Sequence, residues 1–162
     1  MRIAICPGSY DPVTKGHVHI IERGFRLFDR VIVVVMVNQT KTASFTMEER
    51  VKMMRLSIAH LHNVKVDAYD GLVSEYARYH NACALIKGLR AVSDFEYEFQ
   101  MAQINKRLNP DLETVFINAD SNYTYLSSSM VKEIARSGAD LSGFVPTSVE
   151  EFIKGRLIQK VG

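Results

Sequence analysis

His17 closes the segment "PGSYDPVTKGH", residues 7 to 17, which follows a short apolar run and leads into helical periodicity. Ser9 and Thr14 bring hydroxyls to that segment, and Gly8 and Gly16 let a ligand approach the backbone. A helix beginning here would present free N–H groups and partial positive charge, a setting for phosphate. An ordinary surface turn capped by Thr14 accounts for the same residues, since glycine and proline punctuate plain loops as well. Three cations stand in later loops: Lys41 after "VIVVVMV", and Lys87 and Arg90 on either side of Gly88-Leu89. Arginine carries a permanent, forked set of donors suited to phosphate oxygens. "SSS" at 127 to 129 opens another helical stretch and adds hydroxyls to a second set of free N–H groups. Capping alone would need only one of those serines.

The chemistry these residues suit is set partly by what is missing. The second glycine of the first loop is followed by histidine, so the loop is not a Walker phosphate loop, and it is not a G-x-G-x-x-G dinucleotide turn either. There is no nucleophile elbow and no carboxylate pair of the glycosidase kind. Phosphate binders without a covalent nucleophile suit a reaction whose substrates bring their own nucleophile and leaving group. Phosphoryl or nucleotidyl transfer is such a reaction, because positioning and charge stabilisation supply most of its catalysis.

The elements that must position these groups are legible in the pattern. "RIAIC", "VIVVVMV", "VKVDAY" (64–69), "CALIKG" (83–88) and "TVFINA" (114–119) read as five strands. Val18, Ile21, Phe25 and Phe28 share one helical face, and Val51, Met54, Ile58 and Leu61 share another; both stripes are core. Thr46 with Glu49 and Ser93 with Glu96 form capping boxes, the second opening a helix to about Leu108 that Asn109-Pro110 stops. "SSSMVKEIARSG" is a helix ending at Gly138, and residues 148 to 159 form the last. The alternation predicts an α/β fold: a single Rossmann-like, doubly wound domain over 1–162, with a five-stranded parallel sheet and C-terminal helices. In such sheets ligands bind beyond the carboxyl ends of the strands. Every loop singled out above falls at that end. The opposite loops, "LFDR", "AHLHN", "HNA" and "NPDLE", are plain polar connections.

Composition narrows the function classes. The 162 residues are 47% hydrophobic with a formal net charge of +2, too small an excess to argue for nucleic-acid binding. The longest apolar run is far below the ~18 residues of a membrane span, and no N-terminal stretch reads as a signal peptide. Cys6 and Cys83 have no zinc spacing and read as buried thiols of a reducing compartment, so the expected location is cytoplasmic.

"TKGH" resembles the T/HxGH motif of the nucleotidyltransferase superfamily, and "SSSMVKE" its serine-rich second motif. Together with "PGSYDPVTKGH", "FTMEER" and "KGLRAVSDFEYEFQMAQINKRL", the chain from about residue 3 to 150 resembles the bacterial phosphopantetheine adenylyltransferases. The resemblance implies transfer of AMP from ATP to 4′-phosphopantetheine with Mg²⁺, giving dephospho-coenzyme A and pyrophosphate. It implies Ser9, Tyr10, His17, Gly88, Leu89, Arg90, Glu98, Tyr123, Thr124, Tyr125, Leu126, Ser127, Ser128 and Ser129 at ATP. It places Ser9, Lys41, Val73, Lys87, Asn105 and Glu133 at phosphopantetheine, with Met101 beside them. His17, Lys41 and Arg90 stabilise the charge built up during transfer. The metal's ligands are unknown. A homohexamer and coenzyme A as a feedback ligand are implied as well, with neither nucleic acid nor membrane as a partner. Lys87 stands where the family commonly has arginine, which keeps the charge and loses the fork. Two alternatives are a related enzyme, adenylating nicotinamide mononucleotide or transferring CMP to an alcohol phosphate, and a nucleotide-sensing module without catalysis.

Overall fold

The computed structural model describes residues 1–158, apart from the side chains of residues 92 and 93. Five strands, β1 (Ile3–Gly8), β2 (Arg30–Met36), β3 (Val64–Tyr69), β4 (Ala84–Leu89) and β5 (Glu113–Asn118), form one sheet in the order β3-β2-β1-β4-β5. All pairings are parallel. The helices are α1 (Lys15–Phe25), α2 (Met47–Ser57), α3 (Val73–Tyr79), α4 (Val92–Leu108), α5 (Ser128–Arg136) and α6 (Thr147–Leu157). Each of the first five follows the strand of the same number, so the expected doubly wound α/β architecture is present.

Alternation along the central strands divides the core. Ala4 and Cys6 of β1, Val31, Val33 and Val35 of β2, and Ala84 and Ile86 of β4 face one apolar cluster. That cluster also holds Ile21 of α1, Met54 of α2, Val131 of α5 and Ile153 of α6. Ile5, Ile32, Val34 and Leu85 face the other, with Tyr76 and Ala77 of α3. Successive strand residues point to opposite faces, so a strand buried on both sides must be apolar throughout. That is why "VIVVVMV" shows no alternation of polarity. Val18, Phe25 and Phe28 pack against the first cluster beside Ile21, as their helical spacing predicts.

The order of the sheet reverses between β1 and β4. From β1 the chain winds outward through β2 and β3, then returns to place β4 on β1's other side. At that reversal the loops after β1 and β4 separate to opposite faces and leave a crevice, the usual ligand site of such sheets.

Several boundaries differ from the sequence reading. β1 extends to Gly8, and β2, β4 and β5 lie within one residue of the expected spans. Helix α4 begins at Val92 after Ala91, with no side-chain cap, so Ser93 lies inside the first turn rather than ahead of it. Its side chain falls outside the described residues, as does residue 159, the expected end of α6. Cys83 is exposed rather than buried. It precedes β4 at the amino-terminal rim of the sheet, where the neighbouring loops do not cover it. Cys6 is buried as expected.

Candidate active site

Thr14 decides how His17 is presented. Thr14 has extended backbone and caps α1: its hydroxyl accepts the His17 N–H at 3.3 Å. In return the Thr14 N–H donates to His17 Nδ1 at 3.0 Å. This is a capping box in which histidine replaces the usual glutamate. A backbone N–H can only donate, so Nδ1 is the acceptor nitrogen and the ring's proton sits on Nε2. Burial, with the positive charges of Arg90 and Lys87, lowers the His17 pKa to about 4. At neutral pH the ring is therefore an uncharged Nε2–H donor.

Tyr10 supports that ring from behind. Its ring meets His17 edge-on, with centroids 5.0 Å apart. The Tyr10 hydroxyl donates to the Cys6 carbonyl at 2.9 Å and approaches Cys6 Sγ at 3.4 Å. Burial pushes both the Cys6 thiol and the Tyr10 phenol up, so neither is a nucleophile. Tyr10 holds this place at φ 48, a left-handed conformation uncommon outside glycine. A Cβ on Gly8 would lie 2.9 Å from the Tyr10 ring. Gly8 thus makes room for the Tyr10 ring, and it also lines both cavities described below.

A cavity of ≈ 330 Å³ opens on this assembly. Its walls include Gly8, Tyr10, Thr14, Gly16 and His17 from the first loop and Lys87, Gly88 and Arg90 from the end of β4. Asp94 and Glu98 come from α4, and Tyr123 with Leu126 to Ser129 from the approach to α5. Arg90 donates to the Leu126 carbonyl at 2.9 Å and to Asp94 at 3.2 Å, which ties the β4 loop to α5. Of the three serines, Ser127 caps α5, its hydroxyl accepting from the Met130 N–H at 3.1 Å. Ser128 donates to the Pro12 carbonyl at 2.7 Å. Ser129 faces the cavity. Capping therefore uses one serine and loop anchoring a second, and all three line the cavity.

A second cavity, also ≈ 330 Å³, adjoins the first. It is lined by Ser9, Met36, Val73, Leu85, Tyr97, Met101 and Asn105 among others, and it shares Pro7, Gly8, Lys87 and Glu98 with its neighbour. Lys87 and Glu98 pair across 3.4 Å where the two meet. The first compartment gathers His17, Arg90 and the serines, and the second mixes apolar side chains such as Val73, Leu85 and Met101 with polar ones such as Ser9 and Asn105.

The sequence-predicted residues divide accordingly. Tyr10, His17, Gly88, Arg90, Tyr123, Leu126, Ser127, Ser128 and Ser129 meet in the first cavity, and Ser9, Val73, Met101 and Asn105 in the second; Lys87 and Glu98 serve both. Leu89, Thr124 and Tyr125 adjoin the first without lining it. Lys41 is exposed in the loop between β2 and α2 and lines neither cavity, and Glu133 is exposed on α5 and likewise apart. The sequence reading passed over Asp11 and Arg50, both buried and polar, which hold these loops together. Arg50 donates to the carbonyls of Phe45, Ser9 and Met36 at 3.2, 2.9 and 3.1 Å. A lone arginine in a helical pattern gives no notice of such a role.

This fold and site define a nucleotidyltransferase, and residues 5–134 match the family model described as cytidylyltransferase-like. A bifunctional NMN adenylyltransferase/ADP ribose pyrophosphatase from Francisella tularensis superposes with a TM-score of 0.72 over 95% of this chain. The two are 14% identical and the chain spans 49% of that protein's length, so this likeness concerns the fold. The sequence is 54% identical to the phosphopantetheine adenylyltransferase of Caldanaerobacter subterraneus, over 99% of this chain and 98% of the relative. It is 49% identical to that of Heliobacterium modesticaldum (100% and 94% covered) and 50% identical to that of Desulforudis audaxviator (96% and 96%). The chain belongs to the phosphopantetheine adenylyltransferases, and it is an enzyme of the nucleotidyltransferase class.

Proposed function

We propose that adenylyl transfer from ATP to 4′-phosphopantetheine takes place across the two joined cavities, nucleotide in the first and pantetheine arm in the second. The observation that carries this reading is the shared wall at Lys87, which puts a cation where the acceptor phosphate must meet the α-phosphate of ATP. An oxygen of the acceptor phosphate attacks the α-phosphorus, and the bond to the bridging oxygen breaks. Pyrophosphate leaves with the bonding electron pair. Negative charge grows on the non-bridging α-oxygens and on the leaving group. The Nε2–H of His17 donates to the former, and Arg90 with the N–H groups at the start of α5 receives the latter. No general base is required, since the nucleophile is already an anion. A neutral imidazole also suits the task better than a base would, because its proton is donated and never removed.

The donor set fits Mg²⁺ arriving on the triphosphate. Among the described residues no three His, Cys, Asp or Glu side chains gather to cage a metal, and Asp94 and Glu98 are the carboxylates lining the first cavity. Mg²⁺ commonly takes one or two carboxylates together with substrate phosphates; here Asp94, paired with Arg90, and Glu98, paired with Lys87, are the two within the cavity that would hold it. When bound there it would neutralise charge on the phosphates.

The same reading takes residues 1–162 as one catalytic domain acting in the cytoplasm as a homohexamer, with coenzyme A as a feedback ligand. Phe95, Tyr97, Phe99 and Ile104 leave exposed apolar surface along α4, which suits contact between copies. Sedimentation would read the mass directly, and a monomer at micromolar concentration would exclude the hexamer. Among the described residues no helix is long and apolar enough to cross a membrane.

The reaction is tested by pyrophosphate release with ATP and Mg²⁺, comparing 4′-phosphopantetheine with nicotinamide mononucleotide as acceptor. Turnover is expected with the first and not the second. Turnover on the mononucleotide alone would overturn the reading.

A further inference from the structure

Asp11 is 7% exposed and lies in the first loop, yet its carboxylate reaches two other segments. It accepts the backbone N–H groups of Ser44 and Phe45 at 2.9 Å each. Those residues are the root of the loop whose exposed part carries Lys41. The same carboxylate pairs with Lys132 of α5 at 2.7 Å, where the lysine side chain is 19% exposed. Neither Asp11 nor Lys132 lines either cavity. The pair therefore stands outside both cavities. It does join the segment that presents Lys41 to the helix whose start faces the first cavity, and Ser128 of that helix grips the next residue, Pro12, through its carbonyl.

We propose that Asp11 and Lys132 are a positioning pair that fixes the root of the Lys41 loop against α5, so that the acceptor phosphate and the ATP phosphates are held in one frame. A buried ion pair of this kind is a poor source of stability, because taking both charges out of water offsets much of their attraction. Its value lies in direction: two loop amides and one ammonium converge on a single carboxylate and leave the loop root little freedom. Lys41 itself stands clear of the cavities, so its reach to an anion depends on where that root sits. This inference rests on the functional reading above and on the contact with phosphopantetheine that the family resemblance implies for Lys41.

The test uses the double variant Asp11→Asn/Lys132→Gln, which leaves no unpaired buried charge, with Asp11→Asn alone and Lys132→Arg alongside. Two readouts are taken on folded protein of matched thermal midpoint: steady-state constants for both substrates, and the rate of tryptic cleavage after Lys41. The double variant is expected to raise the phosphopantetheine KM at least tenfold, with the ATP KM changed less. Cleavage after Lys41 should quicken at least fivefold while other sites hold their rates. Asp11→Asn should move both in the same direction, and Lys132→Arg should stay near wild type. A phosphopantetheine KM or a cleavage rate within twofold of wild type in the double variant overturns the proposal. So does a Lys132→Arg protein that behaves like the double variant. Should wild type not use phosphopantetheine at all, the functional reading fails and the cleavage rates alone decide the pair.

Discussion

His17 works as a neutral donor whose tautomer is chosen by the backbone, and this makes two predictions at the scale of one residue. His17→Ala should lower kcat by about 10²–10³, the usual loss when one transition-state donor is removed. ATP affinity, read by equilibrium titration, should change little; an equal loss in both would make His17 a ground-state binding group. The pH profile of kcat/KM reports the free enzyme. With the His17 pKa at about 4, that profile should show no titration of His17 between pH 6 and 8. Stability carries the same signature. Between pH 6.5 and about 4 the unfolded chain binds a proton at His17 that the folded chain refuses, so this contribution is full above pH 6.5 and is lost on acidification through that window. At this scale the sequence told His17, Lys87 and Arg90 plainly, because their loops are short and anchored to strands. It did not tell Asp11 or Arg50. Asp11 before Pro12 looks like turn chemistry, and Arg50 looks like an exposed helix residue, since the contacts that join them to other segments run 33 residues or more along the chain for Asp11 and up to 41 for Arg50. Lys41 was legible as a cation at the right end of the sheet, while its distance from both cavities was not, because nothing local in a loop sequence sets how far its tip reaches.

Elements carry the second kind of control. The start of α1 does double duty: Thr14 caps the helix and orients the ring that acts. Thr14→Ala should cost about 1 kcal/mol of stability, the usual value of an N-cap. In a chain of this size that is a fall of about 2–4 °C in Tm. Activity should fall by more than that loss explains at 25 °C, because the Thr14 hydroxyl, which also lies 3.2 Å from His17 Nδ1, goes with it. Activity that follows the folded fraction alone would reduce Thr14 to a cap. The helices with side-chain caps, Thr14, Thr46 and Ser127, were placed well from sequence. The start of α4 was not, because Ala91 offers no capping side chain and the nearby Ser93 with Glu96 mimics the pattern. The strand spans were readable to within about two residues, since β-branched runs end where polar loops begin. Their extra residues at the carboxyl end, such as Pro7 and Gly8, look like loop and pair as strand.

At the scale of the whole molecule, topology brings the site together. A sheet ordered β3-β2-β1-β4-β5 leaves its crevice between β1 and β4, and the loops after those strands carry His17 and Arg90. The period-2 split of the core fixes which face each helix covers, so α5 must arrive beside the first loop, where Arg90 ties it to the β4 end. That convergence was visible in sequence as an asymmetry between the two ends of the sheet. The division into two cavities was not, because it depends on the Lys87–Glu98 pair between β4 and α4. The most direct test is a crystal structure of the protein with ATP bound. The triphosphate is expected in the first cavity, its α-phosphate within hydrogen-bond distance of His17 Nε2 and its β- or γ-phosphate against Arg90 and the start of α5. A nucleotide bound elsewhere, or bound here with its phosphates turned away from both His17 and Arg90, would contradict it.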